Sequence, residues 1–185
     1  MAGTRILYVT SEIDPFLQFS EVAKFVRKLP QAMQEKGMEV RILMPRFGII
    51  NERKNRLHEV VRLSGTNISV GDEERPLIIK VASIPAAKLQ VYFIDNEDRS
   101  IFIRKGVFET VKKLGWAPDI VHCNDWMTSL VPLYLKTTYK EDPIFQNAKI
   151  VFSVFDNKFT ETFDDSIMDK AFMENVDKED LTGLP

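Results

Sequence analysis

The run His122-Cys123-Asn124-Asp125-Trp126 puts an imidazole, a carboxylate and an indole within five consecutive positions at the end of an apolar strand pattern. A carboxylate accepts hydroxyl hydrogens, and an indole offers a flat apolar face, so Asp125 and Trp126 together suit a hydroxyl-rich ligand. The same residues also suit a role without ligand. Asn124 or Asp125 would cap the next helix, Trp126 would pack with Leu130, and His122 would be hydrogen-bonded in the core. The two roles are compatible. Ser11-Glu12 follows the first apolar run, where Glu12 can serve as a base or hydroxyl acceptor, or can fix a loop by accepting backbone N–H groups. Phe155-Asp156-Asn157-Lys158 leaves the last apolar run and reads as a chain turn.

The stretch Gln18-Phe19-Ser20-Glu21 opens the first helical pattern without glycine or lysine. A phosphate site there would need glycines for close backbone approach and a lysine for countercharge. Glu21 already lies at the positive end of the helix dipole, so this turn is expected to be free of bound anion. No G-x-G-x-x-G follows the first strand, and no Walker loop, H-E-x-x-H pair or G-x-S-x-G elbow occurs. Two separated histidines and one cysteine do not make a metal site, and no cofactor is called for. His58 is expected on a solvated face, and Arg53-Lys54-Asn55-Arg56 as a solvated loop.

The elements that must position these residues follow from apolar spacing. Arg5 to Thr10 is a continuous apolar run, as for a strand buried on both faces. Ser20 to Lys36 has helical spacing at Val22, Val26, Leu29 and Met33, with Ser20 as N-cap, Gly37 as stop and a bend expected at Pro30. Glu39 to Met44 is the second strand, closed by Pro45. Leu57 to Leu63, Asn67 to Val70, Leu77 to Ile84 and Val91 to Ile94 read as strands, in part an antiparallel hairpin insertion. Ile103, Val107, Val111 and Leu114 mark a helix ending at Gly115. Asp119 to Cys123 is a strand, Asp125 to Tyr139 a helix, Ile150 to Val154 a strand, and Ile167 to Val176 an amphipathic piece. The expected fold is α/β: a doubly wound, mostly parallel Rossmann-like sheet with a β-hairpin insertion, with ligands beyond the carboxyl ends of the strands. One domain over residues 1–176 is expected, followed by a polar tail over 177–185.

Composition narrows the partners. With 185 residues, 44% of them hydrophobic, the chain can bury a full core. A formal charge of −2, with both signs interspersed, gives no footprint for nucleic acid or an anionic bilayer. The apolar stretch Ile6 to Val9 is too short for a signal peptide or a membrane span, and a lone cysteine excludes a disulfide framework. A cytoplasmic protein is expected.

Several segments taken together resemble one family. Arg5 to Glu12, Pro15-Phe16, Leu29-Pro30 and Val40 to Gly48 look like the opening of bacterial glycogen synthases and plant starch synthases, glycosyltransferase family 5. Asp119 to Trp126 resembles their second signature, Asp-Ile/Val-Ile/Val-His-x-His-Asp-Trp. Leu57 to Gly65 and Leu77 to Ile84 are similar to the short homologues of Bacteroides-type bacteria. The resemblance implies the N-terminal, acceptor-side domain of a two-domain glucosyltransferase. Such an enzyme moves glucose from ADP-glucose to the non-reducing end of an α-1,4-glucan, with a second domain, not present in this sequence, holding most of the nucleotide sugar. It also implies substrate-binding roles for Asp125, Trp126, His122 and Glu12, and no catalytic residue or metal ligand among them.

The chain departs from that family at chemically important positions. Where the family has Lys-Thr-Gly-Gly-Leu, it has Gln18-Phe19-Ser20-Glu21-Val22, and the lysine and glycines that approach the donor phosphates are gone. Phe155 stands where a histidine would contact the transferred glucose, and Asn124 replaces the second-signature histidine before Asp125. These changes argue against glucose transfer by this polypeptide alone and disfavour ADP-glucose as a ligand. A non-catalytic glucan-binding or regulatory module of glycogen metabolism is the alternative. The partners expected are an α-glucan or oligosaccharide, or, through a face that a second domain would cover, another protein or a second copy of the chain.

Overall fold

The structure is a computed structural model and describes residues 3–70, 73–85, 87–96 and 105–156. Among the described residues, eight strands and four helices follow in the order β1 (Arg5–Val9), α1 (Glu21–Glu35), β2 (Glu39–Pro45), α2 (Glu52–Asn55), β3 (His58–Glu59), β4 (Thr66–Val70), β5 (Glu73–Ser83), β6 (Gln90–Asp95), α3 (Val107–Leu114), β7 (Ile120–Asn124), α4 (Leu130–Lys136) and β8 (Lys149–Ser153). They form one sheet in the order β3-β5-β6-β2-β1-β7-β8, with β4 paired to β5. The β6-β2-β1-β7-β8 core is parallel. β3, β4 and β6 each pair antiparallel to β5, the expected hairpin insertion among them.

Strict alternation along the parallel strands divides the interior into two cores. Ile6, Tyr8, Ile42, Met44, Val91 and Phe93 face α1, which buries Val22 and Val26 against them. Leu7, Val9, Leu43, Tyr92, Ile94, Val121 and Cys123 face the other way, under α3 and α4. This two-sided burial is what an uninterrupted apolar strand requires. The order also fixes where a ligand can enter. The chain runs from β1 to β2 and β6 on one side and then returns to β7 on the other, so strand order reverses beside β1. The carboxyl ends of β1 and β7 border the crevice that such a reversal leaves.

Several elements differ from the sequence pattern. The expected strand Leu57 to Leu63 shrinks to His58–Glu59. After Val60 N–H reaches Ile79 O, the chain curls, with Leu63 and Ser64 N–H returning to Val60 O, so Leu63 turns inward. The expected helix Asp125 to Tyr139 is split into a 3-10 turn, Trp126–Thr128, and α4. Asp125 at φ 70 cannot begin an α-helix, and Pro132, which has no N–H, is accommodated in the first turn of α4. α1 is one 15-residue helix that includes the buried Pro30, within the Ser20 to Lys36 span that the spacing predicts. The basic run expected as a loop contributes to α2, which is capped by Asn51 Oδ1 accepting from Lys54 N–H at 2.9 Å. Strand boundaries elsewhere agree with the pattern to within a few residues. Ile103, Asn157, Lys158, the piece Ile167 to Val176 and the tail 177–185 lie outside the described residues.

Leu43 is fully buried in the middle of β2, in register with Val9 on one side and Tyr92 on the other. Leu43→Ala should lower stability by about 2–5 kcal/mol, the range for cavities at such positions, read from the shift of a urea denaturation midpoint.

Candidate functional site

A crevice of about 670 Å³ opens at the reversal point, within the range of about 300–1,000 Å³ usual for small-ligand sites. The loop after β1 contributes Ser11, Glu12, Leu17, Phe19 and Ser20. The loop after β2 contributes Phe47, Gly48 and Ile49, and the turn after β7 contributes Asp125, Trp126 and Met127.

The β1–α1 loop is held by three apolar anchors and one carboxylate. Ile13, Phe16 and Leu17 are buried in the α1-side core, with Phe16 set edge-on against Phe93 at 5.1 Å. Glu12 is only 4% exposed. Its Oε2 accepts from Phe19 N–H and from Ser20 N–H, the latter at 3.1 Å, and its Oε1 accepts from Ser20 Oγ. Ser20 Oγ in turn accepts from Val22 N–H at 3.1 Å, which is the expected N-cap. The turn at the start of α1 therefore carries a carboxylate supplied by the chain itself. A carboxylate at a helix N-terminus is stabilised by the helix dipole and by charge-assisted hydrogen bonds. Of the two roles open to Glu12, the observed bonds are those of the loop-fixing one.

Asp125 ends β7 at φ 70 and ψ 164, a conformation costly for a residue with a Cβ and often found at functional sites. Backbone bonds hold it there: its N–H donates to Ser153 O at 3.2 Å, and its carbonyl accepts from Thr128 N–H and Thr128 Oγ1. The expected side-chain cap is absent, since no side chain caps the 3-10 turn. Asn124 is fully buried, and its Nδ2 donates to Val9 O and His122 O, tying the ends of β1 and β7 together.

His122 is not among the residues lining the crevice. It faces the α1 side of the sheet, where its ring lies 5.1 Å from Tyr8, and its Nε2 shares a 2.8 Å hydrogen bond with Ser153 Oγ. Burial lowers its pKa from the ordinary value. Phe155 packs on Phe25 at 5.3 Å on the same side.

The wall after β2 was not singled out from the sequence. A closed ring of ion pairs supports it: Arg46 bridges Glu52 and Asp95, and Lys80 bridges the same two carboxylates at 2.8 and 2.7 Å. The hydrogen bond from Lys80 keeps the Glu52 carboxyl below the usual range. The only sequence signal for this wall was the Met44-Pro45-Arg46-Phe47-Gly48 strand exit. Among the described residues, no His, Cys, Asp and Glu side chains are grouped to hold a metal ion, and no helix is long and apolar enough to cross a membrane.

Comparison with known proteins matches residues 5–184 to the starch synthase catalytic domain. The glycogen synthase of Chlorobium chlorochromatii (strain CaD3) is 40% identical over 174 residues, covering 82% of this chain and 36% of that protein. The glycogen synthase of Chlorobaculum parvum is 39% identical over 202 residues, covering 97% and 41%. Among solved structures, the catalytic domain of starch synthase IV from Arabidopsis thaliana, bound to ADP and acarbose, is similar with a TM-score of 0.69 at 21% identity. It covers 82% of this chain and 34% of that one, a likeness of fold. The chain thus spans well under half the length of these curated relatives.

Glu12→Ala removes the acceptor for two backbone N–H groups and a hydroxyl. It should cost about 1–3 kcal/mol in urea denaturation, because buried donors are left unsatisfied. A second outcome concerns pH. With a folded-state pKa below the unfolded value of about 6.5, His122 is protonated more readily in the unfolded chain. Its contribution is complete above that pH and declines as pH falls through 6.5 toward the lower folded value. Denaturation midpoints should fall over that interval in the unmodified protein and fall less in His122→Gln.

Proposed function

We propose, because this chain belongs to the family of starch synthase catalytic domains, that it forms the acceptor side of a glycogen-synthase-type glucosyltransferase and holds the non-reducing end of an α-1,4-glucan in the crevice. Asp125 accepts sugar hydroxyls, and the half-exposed ring of Trp126 stacks on a sugar face. Glu12 and His122 act indirectly, Glu12 by shaping the β1–α1 loop and His122 by holding β8 against β7. The Arabidopsis domain of the same fold, with ADP and acarbose bound, lends support to a carbohydrate ligand.

The observation that carries this reading is the crevice lining, with the Asp125 carboxylate and the Trp126 ring on one wall and no cationic side chain among the described residues that line it. Glucose transfer from ADP-glucose demands neutralisation of a leaving diphosphate and stabilisation of a cationic sugar, each worth several kcal/mol in a preorganised site. Here the first turn of α1 presents Glu21 and is already occupied by Glu12, no lysine stands at Gln18, and Phe155 has neither donor nor acceptor. Residues 1–185 alone therefore bind glucan without transferring glucose. Where residues beyond this sequence, on the same or another chain, supply a nucleotide-sugar half, the crevice serves as the acceptor side of the transfer.

Calorimetric titration with maltoheptaose and with ADP-glucose tests this. Maltoheptaose should bind, about tenfold more weakly in Trp126→Ala and more weakly in Asp125→Ala, and ADP-glucose should give no binding heat. Formation of labelled glucan from ADP-glucose by the purified chain alone would overturn the assignment.

A further inference from the structure

Phe19, Ile49 and Trp126 are large apolar side chains standing 72, 69 and 42% exposed, and all three line the crevice. Each comes from a different loop, after β1, β2 and β7 respectively. The sheet order sets those loops side by side as β2-β1-β7. Neighbouring strands lie about 4.8 Å apart, so the loops that carry the three side chains cross roughly 10 Å of the sheet end, with the Phe19 loop in the middle. None of the described residues lining the crevice is cationic, and two of them, Glu12 and Asp125, are carboxylates. An anionic ligand meets repulsion there. A neutral chain with repeated apolar faces and hydroxyl edges meets apolar surface and acceptors.

We propose that Phe19, flanked by Ile49, forms a second sugar-stacking subsite beside Trp126, so that an α-glucan lies lengthwise across the three strand ends. Phe19 then covers ground that a donor diphosphate would need. This inference rests on the reading of the crevice as a glucan site and adds a platform that neither the family signature nor Trp126 supplies. The Phe19 ring stands exposed on this loop, while Leu17 is committed to the core and Ser20 to the N-cap and Glu12.

Titration of the full chain with maltose, maltotetraose and maltoheptaose tests it. Affinity should rise with chain length. Phe19→Ala should weaken maltoheptaose binding about three- to tenfold while leaving maltose unchanged, and Phe19→Tyr should preserve both. Because Phe19 is exposed, these variants should melt with the unmodified protein. If Trp126→Ala weakens maltoheptaose binding and Phe19→Ala does not, the second subsite alone is overturned. Absence of maltoheptaose binding by the unmodified chain would overturn the glucan reading itself, and this inference with it. ADP-glucose binding that weakens in Phe19→Ala would assign the ring to a nucleotide base and overturn the subsite as well.

Discussion

The carboxylate of Glu12 sits where α/β folds often receive a phosphate, at the start of the helix that follows the first strand. Three donors from Phe19 and Ser20 converge on it, and the Ser20 hydroxyl passes the interaction on to Val22. The contact is local in sequence, yet it sets the path of the whole β1–α1 loop. It does so at the central strand of the parallel sheet, where both cores meet the crevice. A helix start satisfied by the protein's own charge has little left to offer an exogenous anion.

The rest of the crevice is consistent with that constraint. Its charged members are acidic, and its exposed members are apolar. The backbone at Asp125 is held at positive φ by hydrogen bonds to Ser153 and Thr128, so the carboxylate and the neighbouring indole are presented by a turn whose conformation is costly to maintain. Binding of neutral carbohydrate requires such fixed acceptors and flat faces and needs no countercharge. The overall sheet belongs to a starch synthase catalytic domain, while the rim of the crevice carries carboxylates and exposed apolar side chains and no cation among the described residues that line it.

Much of this was legible in the chain. Two-sided burial shows in the uninterrupted apolar run Arg5 to Thr10, the N-cap in Ser20, and the ligand edge in the strand exits at Glu12 and Asp125. What remained hidden depended on partners that apolar spacing does not identify. The Glu12 carboxylate could have faced ligand or loop, and only the close return of Phe19 and Ser20 decides its bonds. His122 lies on β7 and Asp125 just beyond its end, three positions on, so strand alternation does not set their side chains on one side. Instead the imidazole lies under α1. The wall after β2 shows in the sequence only as the strand exit Met44 to Gly48, because its position comes from ion pairs to residues on β5 and β6, far along the chain.

Those ion pairs join two parts of the molecule that also share backbone pairing and both cores. Lys80 belongs to the antiparallel insertion, and Arg46 leads directly into Phe47, Gly48 and Ile49. The four groups close a ring in which Lys80 and Arg46 each meet both Glu52 and Asp95. Loss of the Lys80 charge would therefore leave two carboxylates facing Arg46 alone, and the rim of the crevice would keep one of its two cationic ties to the sheet.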